Sequence, residues 1–133
     1  AKTNYEVCAG VAEKLGIKPG EKVYRTVRLR KKNGVPIIID FSYFTAFAFE
    51  GATAETLCES IYDFIEKEKN LIISCANQVI TAEMPPPKVL EMGAGKPVIR
   101  MDQTVYLADG RAFEYTISYK NPQRYVLTVT ATR

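Results

Sequence analysis

The sequence predicts an α+β fold, an antiparallel β-sheet of about six strands with short flanking helices. Three observations carry this expectation. Apolar, β-branched runs flank Asn33-Gly34, and a second pair of runs flanks Asp109-Gly110, each a strong hairpin signal. Helical periodicity is confined to short stretches. No parallel-crossover pattern, Walker-type glycine loop or dinucleotide fingerprint interrupts the strands.

Taken in order, Thr3 and Glu6 have the spacing of a capping box, and Val7, Val11 and Leu15 recur at helical intervals before Gly16. A helix is therefore expected over roughly 4–15. Ile17-Lys18-Pro19-Gly20 turns the chain into the first hairpin, VYRTVRLRKKNGVPIIIDFSYF. Along its first strand Tyr24, Thr26, Arg28 and Arg30 share one face, while Val23, Arg25, Val27 and Leu29 share the other. Two stacked guanidinium groups repel each other, which is tolerable on a solvated face or against an anion. Residue types alone leave both readings open.

The hairpin register decides which residues share a pocket. A strict two-residue loop sets Lys32 against Val35 and Arg28 against Ile39, with Asp40 on the other face. A three-residue loop with Gly34 in the left-handed position shifts the pairing by one and gathers Thr26, Arg28, Arg30, Ile38, Asp40 and Ser42. The second register is preferred because it gives the arginines a carboxylate neighbour and because a family resemblance, given below, implies it.

Residues 45–54 read as an irregular connection. Ser60 and Asp63 then have capping spacing ahead of Ile61, Phe64 and Ile65. Either Ser60 caps a helix whose free N–H groups form an anion site, or the helix already runs from Thr53 and Ser60 lies within it. Leu71 to Glu83 reads as a strand, and a short helix around Lys88–Met92 follows Pro85-Pro86-Pro87. Pro97 to Leu107 and Ala112 to Lys120 form the second hairpin, and Arg124 to Thr132 supplies a last strand. Glu114, Thr116, Ser118 and Lys120 alternate onto one face, either a solvated surface or a polar pocket wall.

Length and composition narrow the function classes. At 133 residues and 47% apolar content, the chain suits one domain with a core. Its net charge of +3 is spread along the chain, which is weak evidence for nucleic-acid contact. It contains no His, which removes triad hydrolysis and His-based metal chemistry. Cys8, Cys58 and Cys75 lie in apolar segments and read as buried structural thiols. Neither a membrane span nor a secretory leader is indicated, so a cytoplasmic location is the default expectation.

In order and spacing, the segments resemble the UTRA domain, the effector-binding half of the HutC subfamily of GntR-type bacterial transcriptional regulators. The matching pieces are AEKLGIKPGEKVYR, VRLR, NGVPIIIDFSYF, ESIYDFIEKE, GAGKPVIRMDQTVYLADGRAFEY and RYVLTVTATR. The resemblance implies a chorismate-lyase-like sheet that binds a small metabolite and forms a homodimer. It implies that residues 1–133 are this single effector-binding and dimerisation domain. The winged helix-turn-helix that contacts DNA in such regulators is absent from this chain, and the strand that usually precedes the first helix also looks missing.

The resemblance further implies residue roles. Arg28 and Arg30 match an arginine pair that grips phosphate in the sugar-phosphate-sensing members, and Ser60 and Tyr62 match residues that complete that anion site. Asp40 and Glu114 match acids that hydrogen-bond sugar hydroxyls. The Tyr-Arg pair common after the second acid is Lys120-Asn121 here, so Lys120 is a candidate third cationic contact. The expected function is sensing of a sugar phosphate or amino-sugar phosphate, with no catalytic residue, metal or cofactor. The alternatives are a chorismate-lyase-like enzyme acting on a small organic acid and a dimerisation module without a ligand.

Overall fold

The computed structural model describes residues 3–6, 9–53, 61–86 and 95–132. In chain order the elements are β1 (Thr3–Glu6), α1 (Ala9–Leu15), β2 (Lys22–Lys32), β3 (Val35–Thr45) and α2 (Ala46–Phe49). There follow α3 (Ile61–Asp63), which continues as a π-helical turn over Phe64–Glu68, then β4 (Ile73–Glu83), β5 (Val98–Leu107) and β6 (Ala112–Lys120). The six strands form one antiparallel sheet in the order β1-β2-β3-β6-β5-β4. No helix among the described residues is long and apolar enough to cross a membrane.

The sheet is nucleated by the two predicted turns. Asn33 and Gly34 both have positive φ, 52° and 76°, as a primed two-residue hairpin loop requires. Lys32 pairs with Val35 across it, so the expected three-residue loop does not form. The expected facing of side chains forms nonetheless, with Arg28 opposite Asp40 and Arg30 opposite Ile38. The shift arises higher up, at a bulge between Arg30 and Lys31. Pro36, opposite Lys31, has no N–H to give to the ladder, which is where bulges are tolerated. The freed carbonyls are used elsewhere: Asn121 donates from its backbone N–H to Ile37 O at 2.8 Å and from Nδ2 to Pro36 O at 3.1 Å.

The helix expected over 4–15 divides. Thr3–Glu6 is a strand that pairs with Lys22–Arg25, so a strand does precede the first helix, and only Ala9–Leu15 is helical. Pairing with an available strand outweighs a local capping pattern. Gly16, at φ 66°, ends α1 as a left-handed cap, with Ile17 N–H bonded to Ala12 O at 3.0 Å. Residues 46–49, expected to be irregular, form the short helix α2. The final strand expected over 124–132 does not form: the segment has no ladder partner among the described residues. Cys75, expected to be buried, is exposed because β4 is the edge of the sheet. Cys8, Cys58 and the helix expected around Lys88–Met92 lie outside the described residues.

The sheet has two unlike faces. On one, α1 packs Val11, Ala12 and Leu15 against Val23, Ala112 and Tyr115. On the other, α2 and α3 cover only one end, where Phe44, Phe49, Ile61, Ile65, Val105, Leu107 and Phe113 form the main core. The uncovered remainder of that face is polar. Burying apolar area at about 25 cal/mol per Å² favours the covered end, and polar groups need partners wherever they are withdrawn from water.

Candidate ligand-binding site

Beside the core lies a cavity of about 380 Å³ whose floor is the polar part of the sheet. Register alone places its side chains in cross-strand rows. Tyr24, Phe44 and Glu114 form one row, and Thr26, Ser42, Thr116 and Gln103 the next. Arg28, Asp40, Ser118 and Met101 follow, and Arg30, Ile38 and Lys120 lie outermost. The decisive pairing is β3 with β6, which joins Asp40 to Ser118 and Ser42 to Thr116 across long sequence separations.

Of the residues expected from sequence, Arg28, Arg30, Asp40, Tyr62, Glu114 and Lys120 all line this cavity. Ser60 lies outside the described residues. Sequence reasoning placed Thr26 and Ser42 on the face of the arginines and Thr116 and Ser118 on that of Glu114 without naming them as ligand contacts, and it missed Gln103; the structure brings all five to the cavity. The signal was present for four of them, since they alternate on the same strand faces as the named residues. Gln103 comes from β5, and counting back from the Asp109-Gly110 turn would have placed it opposite Thr116.

Hydrogen bonds fix the acidic end. Thr116 Oγ1 donates to Glu114 Oε2 at 2.6 Å, so Ser42 is the donor in its 2.8 Å contact with Thr116. The Tyr62 hydroxyl also bonds to Glu114. Glu114 is only 6% exposed. Burial pushes its carboxyl above the usual carboxylate range and Asp40 adds to the rise, against the opposing pull of Thr116, Tyr62 and Arg28. Burial and Glu114 together push the Tyr62 phenol up as well.

The cationic end is a chain of contacts. Lys120 Nζ donates to Ser118 Oγ at 3.1 Å, Ser118 donates to Asp40 Oδ1 at 2.6 Å, and Arg30 Nη2 stands 3.6 Å from Asp40 Oδ2. Burial pushes the Lys120 ammonium below its usual value, Asp40 opposes this, and Arg30 adds to it. Three cations, Arg28, Arg30 and Lys120, thus stand around Asp40, while Glu114 is an acid held toward its neutral form. The Thr26 hydroxyl is buried beside the cavity with no hydrogen-bond partner among the described residues. A buried hydroxyl left unpaired costs about 1–3 kcal/mol.

The raised Glu114 pKa has a direct consequence. From pH about 4.5 upward the unfolded chain releases this proton while the folded chain keeps it, so stability falls until the folded group also ionises. Glu114→Gln is expected to remove that decline and to raise Tm at pH 7 relative to wild type. Melting curves between pH 4 and 8 without ligand check this, and parallel pH profiles for the two proteins would refute it.

Comparison with known proteins follows the same lines. Residues 3–126 match the family model of the UTRA domain. The Escherichia coli K12 mannosyl-D-glycerate transport/metabolism system repressor MngR is 29% identical over 124 residues, covering 91% of this chain and 52% of the relative. The Bacillus subtilis 168 transcriptional repressor NagR is 31% identical over 115 residues, covering 84% and 47%. The chain therefore spans about half the length of the curated relatives it matches. Among solved structures, a GntR-family regulator from Bacillus cereus superposes with a TM-score of 0.91 at 28% identity, covering 99% of this chain and 94% of that one. The effector-binding domain of the B. subtilis trehalose repressor gives 0.87 at 25% identity, covering 100% and 94%. With a family model matched along nearly its whole length, this chain belongs to the UTRA domain family, the effector-binding domains of GntR-type transcriptional regulators.

Proposed function

We propose that the cavity binds a sugar phosphate or amino-sugar phosphate, and that residues 1–133 are the sensing and dimerisation half of a HutC-type regulator that is not an enzyme. DNA would be contacted only through a winged helix-turn-helix outside this chain. The observation that carries the reading is the polarity of the cavity. Arg28 and Arg30 stand at one end, and the buried Glu114, Thr116 and Ser42 hydrogen-bond set at the other. Arginine forks suit a phosphate, while carboxyl, hydroxyl and amide groups suit a polyol. The relatives named for mannosyl-D-glycerate and for trehalose are consistent with a carbohydrate moiety.

Sensing requires the ligand to bind two arrangements of the homodimer unequally, and its effect on operator affinity is limited to that difference. Changing the separation of the attached DNA-binding domains would alter their fit to half-sites about 34–36 Å apart. A thermal-shift screen at millimolar concentration tests the reading. Sugar phosphates and amino-sugar phosphates are expected to raise Tm more than the parent sugars or simple organic acids. Mass spectrometry should return the hit unchanged. Turnover to product would point to lyase-type chemistry instead, and a flat screen would favour a bare dimerisation module.

A further inference from the structure

Among the described residues, two segments have strand chemistry and unpaired backbone: the outer edge of β4 and the segment after β6. β4 closes one side of the sheet, and among the described residues nothing pairs with its outer edge. It is 11 residues long and exposed at nearly every position on both faces. From Ile73 to Ala82 it has no charged residue and no proline, so it lacks the devices that keep a free edge from recruiting other strands. Val79 and Ile80 project from opposite faces, 51% and 42% exposed.

The second segment is Tyr125–Thr132, YVLTVTAT, which has no charge, proline or glycine and is dominated by β-formers. Val126 and Val129 nevertheless stand 85% and 74% exposed. Left as they are, a bare edge and a bare strand-former would invite indiscriminate pairing.

We propose that residues 125–131 of one copy add as a further strand to the outer edge of β4 in a second copy, and reciprocally. Each chain owns both halves of the contact, so one two-fold operation satisfies both edges and closes the assembly. Pairing within one chain is disfavoured by the exit path. The bonds from Asn121 to Pro36 and Ile37 hold the start of the segment against β3, whereas β4 lies beyond β6 and β5 on the other side. The segment also touches the cavity, because Lys120 Nζ lies 4.7 Å from the centre of the Tyr125 ring. A ligand that draws Lys120 inward acts on the root of the arm. This inference rests on the homodimer reading above and names its surface.

Sedimentation equilibrium on the full chain, a truncation after Arg124, Val79→Lys, and the Thr128→Pro/Val129→Pro pair tests it. The altered positions are exposed, so far-UV circular dichroism of the variants should stay close to that of the wild type. The wild type is expected to be a dimer, with Kd raised roughly 30-fold or more in each variant, the scale of a lost hot spot. Single cysteines scanned through 126–131 should form an intermolecular disulfide with Cys75 at alternate positions, and Cys75→Ser should abolish it. A wild-type dimer indifferent to all these changes overturns the arm and leaves dimerisation through another face. A monomeric wild type overturns both readings, and a disulfide within one chain overturns the exchange between copies.

Discussion

Arg28→Ala is expected to weaken a phosphorylated effector by about 1.5–3 kcal/mol, or about 10- to 150-fold in Kd, with little change in Tm. The magnitude is that of a charge-assisted hydrogen bond to a dianion, and Arg30→Ala should behave alike. The two differ in one respect. Arg30 is 3.6 Å from Asp40 and is partly neutralised before any ligand arrives, whereas no carboxylate stands within ion-pair distance of Arg28 among the described residues. Arg28 should therefore show the larger loss. Its side chain is exposed, so the fold does not depend on it. Isothermal titration of the best hit from the thermal-shift screen provides the test. Unchanged affinity in both variants would remove the anion-site assignment.

Phe49→Ala should have the largest effect on stability, about 3–5 kcal/mol, because a fully buried ring is replaced by a methyl and its surroundings close up only in part. Phe49 is 0% exposed, stacked on Phe44 with ring centroids 4.5 Å apart and tilted against Tyr24 at 5.1 Å. Phe44 and Ile61 belong to this cluster and also line the cavity. The substitution should thus weaken ligand binding as well, though less than Arg28→Ala. Urea unfolding measures the first effect. A loss below about 1 kcal/mol would mean that α2 is not seated on the sheet as described.

How much of this was legible in the chain depends on the range of each interaction. That Arg28 and Arg30 share one strand face and Asp40 and Ser42 another follows from alternation, which is local, whereas the bulge that brings the two faces into register is not announced by the Asn33-Gly34 turn. Glu114, Thr116, Ser118 and Lys120 are readable as a polar face for the same reason. That these two faces adjoin is not readable, because the pairing of β3 with β6 has no local signature. Thr3 and Glu6 misled because a capping pattern is worth about 1 kcal/mol and pairing with β2 satisfies more backbone groups. RYVLTVTAT has the right composition for a strand and has no ladder neighbour among the described residues. Cys75 sits in an apolar run that the topology leaves at the rim.

The bulge opposite Pro36 separates two things that a simple hairpin would lock together, the size of the turn and the phase of the binding face. Residues at the tip can be exchanged without moving Asp40 relative to Arg28. Removing Ile37, the unpaired residue between Pro36 and Ile38, would leave Arg30 opposite Ile38 and Arg28 opposite Asp40 and make the hairpin regular. The cost of losing Ile37 would fall instead on the far edge of the strand, where its carbonyl and that of Pro36 are what Asn121 holds as the chain leaves β6.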